Sequence, residues 1–220
     1  MVAMTKLKIT LTQTSPAASR LTATVIGVQG DSKKVKLAKN NLDSKLTAGL
    51  NLESLGVSSE VGSIKKLSGP GSSVIALLGL GKTLEIDALR QAMGAAAREL
   101  GNFEHVVVDV PLTTKDHVLA AIEGFQLGNY EYLTYKPKAT KKVLSKLTIV
   151  SAAKPTAGAL LRLEVIAAAV HRTRDMVNAP ANDLYPEVMF LAAKKLVKGL
   201  PVKIKAVSYT HLTLPTKRIV

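Results

Sequence analysis

Gly81-Lys82-Thr83 follows the apolar run from Val74 to Leu80 in the stretch VIALLGLGKTL. Glycine, lysine and a hydroxyl in this order are the parts of a phosphate cradle, in which successive backbone N–H groups face an anion. A Walker A loop places four residues between its first glycine and the Gly-Lys-Ser/Thr triplet. Here the first position is Ala76, inside the apolar run, so about three residues (Gly79 to Gly81) are left to form the turn. Spacing and context both argue against a nucleotide site. The stretch predicts a buried strand and a tight strand-to-helix turn, with glycines where the chain bends sharply.

Other reactive side chains are sparse. His105, His117, His171 and His211 are not paired at metal-ligand spacing, and HExxH is absent. Each reads as a structural or surface histidine. There is no G-x-S-x-G elbow, and the lack of cysteine excludes a thiolate nucleophile, a thiolate metal site and disulfides. No group of carboxylates suits a two-metal site. Asp109 ends a predicted strand, a favoured place for a site residue. Asp175 and Asp183 flank the NAPAN segment. Without partners at ligand spacing, all three read as hydrogen-bonding and capping residues. The sequence assigns no catalytic, cofactor-binding or metal-binding residue within this chain.

The elements around these residues alternate. Strands are predicted at Leu7 to Leu11, Leu21 to Val28 (ended by the Gly30-Asp31 turn pair), Lys33 to Leu37 and Ser63 to Leu67. Val74 to Leu80 and His105 to Val110 are continuous apolar runs, as expected of strands buried on both faces. Leu147 to Ser151 and the alternating Val202 to Val207 complete the predicted strands. Helices are predicted from Asn41 to Leu55, Glu85 to Leu100, Thr114 to Phe125, Ala157 to Val177 and Pro186 to Val197. In the second of these, Ile86, Leu89, Met93, Ala96, Ala97 and Leu100 keep helical spacing. Thr114 is placed to cap the third. The basic segment from Tyr135 to Lys146 reads as a surface loop. Buried strands alternating with amphipathic helices indicate an α/β fold with a parallel or mixed sheet.

At 220 residues and 47% hydrophobic content, the chain can bury a sizeable core, made mostly of aliphatics because aromatics are only 4%. No apolar run at the N-terminus is long enough for a signal-peptide core. No uncharged stretch approaches the ~20 residues of a membrane span. A cytoplasmic location is the expectation. The formal charge of +14 would suit a polyanion such as DNA. The lysines are dispersed, however, and no aromatics interleave with them as a base-stacking surface needs. A solvated basic face is the plainer reading.

Three segments resemble the leucyl aminopeptidase (cytosol aminopeptidase) family: Ala76 to Leu100, Glu123 to Lys136 (EGFQLGNYEYLTYK) and Val170 to Glu187 (VHRTRDMVNAPANDLYPE). The last is similar to the family's R-D-L-V-N-x-P-x-N-x-x-x-P segment through Arg174, Asp175, Met176, Val177, Asn178, Pro180, Asn182 and Pro186. Order and spacing agree from about residue 20 to 206. The resemblance implies a macro-like N-terminal domain with a mixed sheet over residues 1–152. Residues 153–206 would be a linking helix and the first elements of a second α/β domain, the catalytic one. It further implies a peptide substrate, two divalent metal ions (zinc or manganese) that activate a water, and a homo-hexamer. DNA binding occurs in some members of the family.

The family's metal motifs, similar to G-K-G-I-T-F-D-T-G-G and N-T-D-A-E-G-R, are not in this sequence, so no residue is carried over as a ligand. Residues 207–220 include SYTHLTLPTKRIV, which reads as a non-native tail. The expectation is therefore a fragment of a metalloaminopeptidase, itself inactive, with the apolar faces of its last two helices exposed. The competing expectations are a DNA-binding module, an assembly module and, from the macro-like fold alone, an ADP-ribose binder.

Overall fold

A computed structural model of the chain describes residues 7–17, 19, 21–31, 34–41, 50–135 and 144–207. Among these, seven strands form one sheet: β1 (Lys8–Thr12), β2 (Thr22–Asp31), β3 (Lys34–Leu37), β4 (Ile64–Ser68), β5 (Val74–Gly79), β6 (His105–Asp109) and β7 (Lys146–Val150). Their order is β1-β7-β6-β2-β5-β4, with β3 paired to β2. The β1–β7, β7–β6, β6–β2 and β2–β5 pairs are parallel, whereas β3 and β4 run antiparallel to their partners. The sheet is mixed, as the sequence predicts.

Register explains the apolar runs. One row across the sheet reads Leu11, Ile149, Val108, Val25 and Ala76. Its neighbour reads Ile9, Leu147, Val106, Ala23 and Val74. These rows face α1 (Ile86–Glu99) and α2 (Lys115–Gly128), whose Leu89, Met93, Ala97, Ile122 and Phe125 complete the main core. The intervening residues of β2 and β5 (Ile26, Val28, Ile75 and Leu77) turn to the other face and pack with Val57, Leu52 and Leu55. Both faces are therefore covered, and alternation in the sequence is lost where the sheet is central.

α1 and α2 lie unusually close. A Cβ built on Gly124 would sit 2.1 Å from the Arg90 carbonyl oxygen, and one on Gly128 would sit 2.3 Å from that of Gly94. Glycines four apart on α2 thus meet the backbone of α1 with no side chain between. Arg90 ties the same pair together, its Nε donating to Glu123 Oε2 at 2.7 Å. Its other partner is Asp87, one turn away.

One end of each helix meets a side-chain partner. Lys66 of β4 donates through Nζ to the Glu99 carbonyl at 2.8 Å and its carboxylate at 3.0 Å, placing a cation at the negative end of α1. At α2, Thr114 Oγ1 accepts from the His117 amide at 3.1 Å, as its sequence position predicts. Thr114→Ala should cost about 1 kcal/mol, read as a lower urea midpoint with an unchanged slope.

Several expectations change. Val202 to Val207 forms no strand: the alternating pattern is present, but among the described residues no strand pairs with it, and a ladder needs a partner. Ile86 opens α1 at 42% exposure, off the buried stripe formed by Leu89, Met93, Ala96, Ala97 and Leu100. Of the helix expected from Asn41 to Leu55, residues 42–49 lie outside the described set, and residues 52–56 are turn. Residues 136–143 of the basic segment and the expected tail from 208 onward also lie outside it.

The chain divides into two units, Met1–Arg172 and Thr173–Val220. The division falls inside α3 (Ala157–Asn178). Within the first unit, α3 is held by Leu160, Leu163, Ala167 and His171, which share one face, while Leu161 and Val165 are each 62% exposed. In the second unit, α4 (Pro186–Leu196) buries no residue, and Met189 and Leu191 are exposed.

Candidate functional site

The glycine-rich connection after β5 runs from Leu80 to Glu85, longer than the turn of about three residues that the sequence suggests. The amides from the end of β5 to Gly81 already have partners. Gly79 N donates to Ser63 O at 2.9 Å, Leu80 N to Val28 O at 2.9 Å and Gly81 N to Ser59 O at 2.8 Å. A Cβ on Gly79 would stand 2.0 Å from the Glu60 carbonyl oxygen. The glycines therefore admit the chain around residues 59–63, not an anion. Ala76 is 1% exposed in mid-strand, and Lys82 and Thr83 are on the surface side of the connection. A P-loop needs free amides converging on one point, and three of those amides are committed to carbonyls.

The histidines are dispersed. His105 Nε2 lies 2.8 Å from Thr148 Oγ1 across β6 and β7. Burial, aided by the positive charge of Lys146, holds its pKa below the usual imidazole value, with Glu104 opposing. His171 is buried between α3 and α2, where its Nε2 donates to the Gln126 carbonyl at 3.1 Å. Its ring centroid stands 5.3 Å from that of Tyr130. His117 Nδ1 lies 3.4 Å from the Thr113 hydroxyl, and His211 lies outside the described residues.

Asp109 stands where an α/β sheet often places a site residue, at the carboxyl end of β6. Both of its oxygens are engaged. Asn41 N donates to Oδ2 at 2.9 Å and Asn41 Nδ2 donates to Oδ1 at 3.0 Å. Asn41 carries no motif and is distant in sequence, so no local pattern reveals this pair. Around the NAPAN segment the bonds are those of a helix end and turn. Ala179 N donates to Asp175 O at 3.0 Å, Asn178 Nδ2 to Arg174 O at 2.9 Å and Asp183 N to Pro180 O at 2.9 Å.

Among the described residues no group of three or more His, Cys, Asp or Glu side chains could hold a metal ion. The two divalent metals implied by the resemblance thus find no fitting donor set here, and no reaction step through them can be derived from these residues. Among the described residues no helix is long and apolar enough to cross a membrane.

Comparison with known proteins supplies what the side chains do not. The sequence profile of the cytosol aminopeptidase family's N-terminal domain matches residues 25–139. A probable cytosol aminopeptidase of Leifsonia xyli subsp. xyli is 28% identical over 214 residues, which is 95% of this chain and 43% of the relative. One from Mycobacterium marinum is 35% identical over 170 residues, covering 74% of this chain and 33% of the relative. The chain therefore spans less than half the length of these relatives. Among solved structures, a mutant of tomato leucine aminopeptidase superposes with a TM-score of 0.71 at 22% identity, covering 88% of this chain and 42% of that one. The bottromycin maturation enzyme BotP in complex with Mn gives 0.59 at 21% identity, covering 83% and 36%. These two show a shared fold. Together with the register and helix order above, the profile match places this chain in the cytosol aminopeptidase family, over that family's N-terminal domain.

Proposed function

We propose that this chain is the N-terminal, non-catalytic part of a metalloaminopeptidase, a cytoplasmic enzyme that removes N-terminal amino acids from peptides. Residues 1–152 would form its N-terminal domain. Residues 153–206 would be the linking helix and the start of the catalytic domain, and residues 207–220 a tail foreign to the family. The observation that carries this reading is the match to the family's N-terminal domain profile over residues 25–139. The whole enzyme's two divalent ions, zinc or manganese, would polarise the peptide carbonyl and lower the pKa of a bound water. Their ligands would come from polypeptide outside this sequence.

The 220-residue chain should release no leucine from leucyl amide, with or without added Mn or Zn. Metal-stimulated turnover above a no-protein control would overturn the proposal, because the ligands would then lie among residues assigned structural roles above.

A further inference from the structure

We propose that Asp109 and Asn41 form a proton-sensitive latch, which fastens residues 38–41 at the carboxyl end of β6. The latch is independent of the aminopeptidase reading. It arises from the way β2 changes partners along one edge. β6 pairs with β2 only as far as Ile26↔Asp109. β5 occupies the opposite edge as far as Val28↔Gly79, so β3, which begins pairing at Val28↔Leu37, continues along the edge that β6 leaves. Ala38 N then donates to Gly27 O at 2.8 Å, and the chain returns to Asp109 through Asn41.

At that point no strand partner remains, and the Asp109 carboxylate takes the place of one. It accepts the Asn41 backbone N–H at 2.9 Å and the side-chain N–H at 3.0 Å, and it is 1% exposed. Ionisable residues on the surrounding elements are Asp31 at the end of β2, Lys36 on β3, Lys39 in the fastened segment and Lys146 at the far end of β7. Lys115 and Asp116 follow on its own chain. Among the described residues none of these bonds or ion-pairs with the carboxylate. A buried carboxylate with two neutral donors and no cation favours its protonated form relative to one in water. Burial accordingly raises the Asp109 pKa, and the two Asn41 bonds only partly oppose it.

The sign of the pH response follows from linkage. Lifting the segment would expose Asp109 to water and return it to the ordinary carboxylate range. The closed form, with the higher pKa, binds the proton more readily, so it gains on the open form as pH falls through that raised value. As pH rises through the same window, opening becomes easier, and the effect levels off once the carboxylate is fully ionised.

Amide hydrogen exchange on the intact chain at pH 5 and pH 7 tests this, with each rate divided by that of an unstructured amide at the same pH. The Asn41 amide should be more protected at pH 5, by up to about tenfold for each unit of displaced pKa. The fully buried Val107 of β6 should not share that ratio. D109N keeps the shape but cannot ionise, so its ratio should fall to about one. N41A removes one donor and keeps the titrating group. It should lower protection of the residue 41 amide at both pH values and retain the ratio. Equal protection at the two pH values in the wild type, a ratio retained in D109N, or Val107 following with the same ratio would each overturn the latch. If D109N does not fold, the wild-type comparison of Asn41 with Val107 decides.

Discussion

Gly124→Val and Gly128→Val should each destabilise the protein by about 3 kcal/mol or more, at the upper end of overpacking costs. A Cβ at either position meets backbone within 2.3 Å, the Arg90 carbonyl in one case and the Gly94 carbonyl in the other. Backbone cannot swing aside as the end of a flexible side chain can, so α1 and α2 must separate. Separation would also draw Leu89, Met93, Ile122 and Phe125 apart, all essentially inaccessible in the main core. Even Gly124→Ala should lose stability, although alanine in an ordinary helix gains about 1 kcal/mol over glycine.

Gly158 is the control, because a Cβ there meets nothing within 4 Å. Gly158→Ala should be neutral or slightly stabilising, by at most about 1 kcal/mol. Thermal or urea unfolding of these variants checks the contrast. In a protein of this size each kcal/mol moves the midpoint by about 2–4 °C. Equal effects of alanine at Gly124 and Gly158 would mean the helices are not in backbone contact.

Ala76→Gly should reduce stability by about 1–2 kcal/mol and give no nucleotide affinity. The substitution completes the Walker A pattern, because four residues separate position 76 from the Gly81-Lys82-Thr83 triplet, and so it separates pattern from geometry. Ala76 is in the middle of β5, paired with Val25 on one side and Lys66 on the other. A glycine there loses a buried methyl and adds backbone freedom to the unfolded chain, while strand pairing prevents it from becoming a loop. The amides of Gly79, Leu80 and Gly81 would stay bonded to Ser63, Val28 and Ser59. Calorimetric titration with Mg-ATP should show no heat beyond dilution. Saturable binding would mean that these carbonyls can release their amides to phosphate.

Much of the architecture is written locally. The strands at Val74–Gly79 and His105–Asp109, the helix over Ile86–Glu99 and the Thr114 cap all follow from runs and spacings within a few turns of chain. Burial periodicity is a local property, because each side chain's direction is set by its own element. The same locality explains the failure at Val202 to Val207, where alternation describes a strand's shape and says nothing about a partner to pair with. It also explains Ile86, which keeps helical spacing but opens the helix at its exposed end.

Local patterns along the chain carry the α/β class, the family resemblance that the domain match confirms, and the want of a Walker A spacing around Ala76. Folding sets how the notable residues are used. Asp109 reads in sequence as an unpartnered strand-end carboxylate, and folding gives it both kinds of N–H group of Asn41, 68 positions away. Gly124 lies within the predicted helix and Gly128 beyond its predicted end at Phe125, and folding makes both the surface on which α1 rests. The reason is physical: side-chain periodicity follows from the geometry of one element, whereas hydrogen-bond partners and close backbone approaches depend on how separate elements are brought together.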